Sequence, residues 1–103
     1  MTLATLLAPA ARHPLSTVLG IAGLSLVALG WSMAVVHANA DGRADVLLPW
    51  VGAAHLFGAT LAVAGWALAP RRATLVRAAL GLFFGLGWWA FWLGIYGLAA
   101  ILA

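Results

Sequence analysis

The sequence predicts an all-α integral membrane protein with three transmembrane helices running up, down and up, and two observations carry that expectation. First, 66% of the residues are hydrophobic and only five basic and two acidic side chains are present, far below the roughly one-quarter charged content of a water-soluble domain. Second, those charges (Arg12, Asp41, Arg43, Asp45, Arg71, Arg72 and Arg77) leave charge-free stretches at 13–40, 46–70 and 78–103. Each is long enough for a helix, which needs about 20 apolar residues to cross a core of about 30 Å with every backbone polar group bonded internally. Membrane strands run about ten residues with alternating polarity, and none of the three stretches alternates.

Residues 1–14 form a short apolar lead with Arg12 and His13 before Pro14, too short to span and expected to lie along the interface. Span one is expected at about 15–36. It ends in His37-Ala38-Asn39-Ala40, which has the small-x-small form of a secretory cleavage site. The preceding apolar run of about 22 residues exceeds the 7–15 of a signal-peptide core, so the segment is read as a retained anchor. The connection Asp41-Gly42-Arg43-Ala44-Asp45 contains an Asp-Gly pair suited to a turn. Asp45 is placed to cap span two, at about 47–69, and Pro49 suits its first turn. Pro70 closes that span, Arg71 and Arg72 make a basic elbow, and span three runs over about 75–103. With no internal repeat and no low-complexity linker, the whole chain reads as one domain.

Arginine asymmetry sets the expected orientation. Arg12, Arg71, Arg72 and Arg77 fall on one side, and Arg43 beside two aspartates falls on the other, so the N-terminus is expected in the cytoplasm and the C-terminus outside. A bacterial inner membrane is the expected location. The basic balance rests on arginine alone, which points to anionic lipid headgroups at Arg71, Arg72 and Arg77 rather than to nucleic acid. Without Cys there is no thiolate or disulfide chemistry.

In lipid, helices associate through small residues that let backbones approach. Such stripes occur in span one (Ser16, Gly20, Gly23, Gly30, Ala34), span two (Gly58, Ala62, Gly65, Ala69) and span three (Gly87, Ala90, Gly94, Gly97), and are expected to pack the spans together. Gly81-xxx-Gly85 is a weaker motif in a chain with 12 glycines. On a wheel at 100° per residue, Phe84, Trp88, Trp89, Phe91, Trp92 and Tyr96 share an arc opposite the small side of span three. Trp50 and Trp66 suit interfacial belts. Trp88, Trp89 and Trp92 fall near mid-span, where rings meet acyl chains, a helix or a flat cofactor.

His55 stands about 12 Å into span two, on the side of Gly58, Ala62 and Gly65, and is expected to face protein. The bland expectation is a hydrogen bond to Ser25, Ser32 or a backbone carbonyl; the functional one is an axial ligand, since a neutral imidazole holds haem iron or chlorophyll magnesium. His13 and His37 are expected to face water. His55 followed eleven residues later by Trp66 resembles the pigment-ligand spacing of bacterial light-harvesting polypeptides. Those span once and typically carry Ala four residues before the His, where this chain has Val51. That resemblance implies a chlorophyll-type pigment on His55. In length and number of spans the chain also resembles class I phage holins, which implies a pore former, although holins start outside and end in a charged cytoplasmic tail.

Catalysis is not expected, because both aspartates lie in the outer connection and His55 has no carboxylate to orient it. A carrier would bury an acid, and the spans hold none. The expected function is a non-catalytic accessory or structural subunit of a larger membrane complex, bioenergetic (photosynthetic or respiratory) in setting. Its expected partners are other integral membrane proteins and lipids, met through the Gly-rich and aromatic faces. The alternative is a pigment- or haem-binding subunit using His55, with Trp88 and Trp92 beside a pigment, haem, quinone or carotenoid; a holin-like pore comes third.

Overall fold

A computed structural model describes the backbone of residues 9–103 and the side chains from Pro14 onward. Among the described residues the chain is helical, with no strand. Helix α1 is Pro9–Ala38, α2 is Leu48–Leu68, α3 is Arg72–Gly81 and α4 is Gly87–Leu102. A π-helical segment, Leu82–Leu86, joins α3 to α4 in one rod. Three helices, Pro14–Ala38, Asp45–Leu68 and Arg72–Leu102, are long and apolar enough to cross a membrane.

The boundaries differ from the sequence expectation in three places. Helix α1 is continuous from Pro9 through Pro14, so residues 9–14 of the expected lead are helical and in line with span one. Pro14 lies inside this helix, where its ring removes the hydrogen bond to the Ala10 carbonyl. Residues 1–8 of the expected lead lie outside the described residues. Asp45 caps nothing with its side chain; it opens a short 3-10 turn, Asp45–Leu47, and its Oδ1 lies 2.9 Å from Nε2 of His37. His37 is therefore paired across the connection. The rod starts at Arg72, three residues earlier than expected, because the Thr74 hydroxyl accepts the Arg71 N–H at 3.0 Å and donates to the Ala69 carbonyl at 2.7 Å. Pro49 lies in the first turn of α2 as expected. In the connection between α1 and α2, Asp41 (φ 51) and Gly42 (φ 83) make the turn in left-handed conformations, which Asp tolerates and Gly adopts freely.

Helices α1 and α2 form an antiparallel hairpin with backbones in contact. A Cβ built on Gly23 would lie 2.5 Å from the Gly58 carbonyl oxygen, and one built on Gly58 would lie 2.6 Å from the Gly23 oxygen. Any side chain at either position forces the helices apart. The buried positions of α1 are Ser16, Gly20, Gly23, Val27, Gly30 and Ala34, a 4-3-4-3-4 spacing that keeps one seam facing its partner. Helix α2 occupies the centre. One side of it meets α1, and another meets the rod through Gly81 and Gly85, whose Cβ positions would fall 2.8 Å from Ala62 Cβ and 2.7 Å from the His55 carbonyl oxygen.

Candidate functional site: an aromatic cluster and an overhanging helix

Where the π segment crosses the hairpin, two indole rings gather around His55. The His55 ring lies 5.1 Å from Trp31 and 5.2 Å from Trp88, and Trp31 meets Trp88 edge-on at 5.4 Å. These separations suit attractive ring contacts. Two indoles also tie elements together: Trp31 Nε1 donates to the Phe84 carbonyl at 3.0 Å, and Trp89 Nε1 donates to the Gly52 carbonyl at 3.2 Å. The first uses a carbonyl of the π segment, where a widened turn disturbs the regular backbone pattern. The second needs glycine, because a Cβ at position 52 would lie 2.8 Å from Trp89 Cζ2.

His55 is fully buried, and neither ring nitrogen makes a hydrogen bond of acceptable geometry. The expected serine partners are engaged elsewhere, Ser25 donating to Ile21 O at 2.8 Å and Ser32 to Ala28 O at 2.9 Å. An axial ligand to a tetrapyrrole must present one nitrogen to open space. Here a Cβ built on Gly30 would stand 3.0 Å from both Nε2 and Cδ2, so that edge abuts α1. The arrangement of the ring does not fit a haem or chlorophyll.

The aromatic arc expected of span three divides in two. Trp88 and Trp89 turn onto the hairpin, Trp92 bridges Trp88 and Tyr96 at 5.7 and 6.1 Å, and Phe91 and Tyr96 face outward. Phe84 stands outward with its ring edge-on to Phe83 at 5.0 Å. Trp88, Trp89, Trp92 and Tyr96, with His37, Leu48 and Gly52, line an open cleft of about 370 Å³. That volume is at the small end for ligand sites, which run from about 300 to 1,000 Å³.

The small side of span three behaves opposite to expectation. Nothing lies within 4 Å of a Cβ built on Gly87, Gly94 or Gly97, so this stripe packs nothing within the chain. The contacts fall on Gly81 and Gly85 instead. Relative lengths supply the reason: Trp89 lies on Gly52, so four residues later Leu93 draws level with Leu48, where α2 begins. The remaining turns of α4 overhang the hairpin by about 14 Å at 1.5 Å per residue. No residue of α4 is buried.

At the opposite end, the three elbow arginines are not equivalent. Arg71 Nη2 donates to Ser16 Oγ at 3.2 Å. The Arg77 stem lies on Gly20, whose Cβ would be 2.8 Å from Arg77 Cδ, and Arg72 points away, exposed. Sequence reasoning missed Trp31, which sits four residues after Val27 beside the α1 seam, and Thr74, which caps α3 from inside the first turn. Compared with known proteins, the chain matches no family model, no curated protein and no solved structure.

Proposed function

We propose that this protein is a non-catalytic accessory subunit of a larger integral membrane complex, and that the second half of its third span is the docking element. Supporting this reading is the overhang of α4. The second span contains 24 residues and the third 31, about 36 Å against about 46 Å, where a membrane core is about 30 Å thick. An apolar helix that outruns its own bundle, with Ile101 and Leu102 each more than three-quarters exposed, gains by lying against another protein. Its unpacked Gly87, Ala90, Gly94 and Gly97 follow the 3-4-3 spacing of a helix-packing seam. A bacterial inner membrane with the N-terminus in the cytoplasm is the setting favoured by the arginine distribution.

The cofactor alternative moves away from His55, whose nitrogens face the interior, to the cleft beside Trp88 and Trp92, where a small flat molecule from the bilayer would lie between rings. The pore reading gains no support from the hydroxyls, since Ser25, Ser32 and Thr60 each donate to a carbonyl of their own helix.

Purification in mild detergent through an N-terminal tag, with mass spectrometry and an absorption spectrum, tests the proposal. Recovery of a defined membrane partner without a visible band supports it; migration alone refutes it, and a band abolished by Trp92→Leu favours the cleft ligand. Orientation is checked separately. The native chain has no Cys, so Ala44→Cys and Ala73→Cys report the two connections, and only Ala44→Cys should react with an impermeant maleimide added outside.

A further inference from the structure

We infer that Arg71 and Arg77, together with Ser16, form a seat for the phosphodiester of an anionic membrane phospholipid, and that Arg72 is not part of it. The two arginines are six residues apart on the rod, yet both lean on one turn of α1. Arg71 reaches Ser16 and Arg77 lies across Gly20. Arg71 achieves this from an extended backbone conformation, φ −142 and ψ 166, at the residue preceding α3, which throws its side chain across the elbow. Absence of a side chain at Gly20 makes room for the Arg77 stem.

These cations are partly desolvated and carry no counter-charge. Among the described residues, Arg71 Nε and Arg77 Nη1 are shut off from solvent without a hydrogen-bond partner, so each guanidinium has lost water on one side without an anion in return. The chain has only two acidic side chains, Asp41 and Asp45. Both lie in the connection between α1 and α2, separated from the elbow by the length of α2, about 31 Å, and Asp45 is engaged by His37. Two half-buried like charges repel each other across a low-dielectric surface, and an anion at their open edges relieves both the repulsion and the desolvation. At the margin of a membrane-crossing segment the abundant anion is the lipid phosphate. Guanidinium matches its paired oxygens better than any other side chain.

The prediction separates Arg72 from its neighbours, which diffuse attraction to a charged surface does not. Full-length wild type, the double variant Arg71→Gln/Arg77→Gln, and Arg72→Gln would be exchanged into mixed micelles of phosphatidylglycerol and phosphatidylcholine, and retained lipid counted by native mass spectrometry. Wild type and Arg72→Gln should prefer phosphatidylglycerol by about twenty-fivefold, from two arginines at roughly fivefold each, and the double variant should lose that preference. Ser16→Ala, a milder change, should weaken it without loss of helicity by circular dichroism, which keeps the test decisive if the double variant fails to fold. Equal retention of both lipids by wild type overturns the inference, as does an Arg72→Gln variant that loses as much as the double variant. Displacement of the lipid by inorganic phosphate alone would assign the seat to a free anion and likewise overturn it.

Discussion

The two halves of the third span both carry glycines but live in different surroundings. Up to Trp89 the rod is fixed on the hairpin: Gly81 and Gly85 lie against α2, Trp88 stacks on His55, and Trp89 bonds the Gly52 carbonyl. Beyond Leu93 none of its residues is buried. In lipid the hydrophobic effect does not drive helices together, because acyl chains are as apolar as leucine. Small residues therefore decide where contact occurs, and a glycine stripe left open is surface shaped for another backbone. Gly81 and Gly85 are used inside the chain, whereas Gly87, Gly94 and Gly97 stay open.

Substitutions on the two halves should differ in kind. Gly58→Leu places a side chain against the Gly23 oxygen, where a Cβ alone would sit at 2.6 Å, and should destabilise the hairpin by about 3 kcal/mol, the upper end for overpacking. Steric-trap unfolding in bicelles measures this, and an unchanged stability would show that the helices do not meet there. His55→Leu comes next and has the opposite sign. It removes a buried group with no hydrogen-bond partner, so stability should hold or rise by about 1 kcal/mol. A clear loss would mean that the imidazole holds a partner. Trp31→Phe keeps the ring contacts but deletes the bond to Phe84, costing about 0.6 kcal/mol, typical of interhelical hydrogen bonds in membranes; the same unfolding measurement on the two chains reads it, and an unchanged stability would show that the bond contributes nothing. Smallest of all, Gly94→Leu and Gly97→Leu should leave the melting of the isolated subunit unchanged within about 0.5 kcal/mol, because a side chain there enters open space.

Much of this fold could be read before any coordinates, and the reasons are local. Five of the six buried seam positions of α1 are small residues at helical spacing; Val27, the sixth, is a larger residue that size alone does not flag. Gly58, Ala62, Gly65 and Ala69 are buried as their spacing suggests. The site was less legible. A wheel at 100° per residue groups rings by angle over a broad arc, and only part of that arc, at the level of α2, meets the hairpin; Trp88 and Trp89 turn onto it while Phe91 and Tyr96 face outward. Which glycines of span three are used depends on where α2 begins, a relation between helices that no single helix records. The three arginines look alike in sequence, and only the elbow geometry turns Arg71 and Arg77 inward and Arg72 outward.

The most direct measurement compares what co-purifies with N-terminally tagged wild type and with a Gly94→Leu/Gly97→Leu variant in mild detergent, quantified by mass spectrometry. A partner held by wild type and reduced at least tenfold in a variant of unchanged melting temperature is the predicted result. Equal recovery of every partner by both chains, or a wild type that migrates alone, would contradict docking through the overhanging half of the third span.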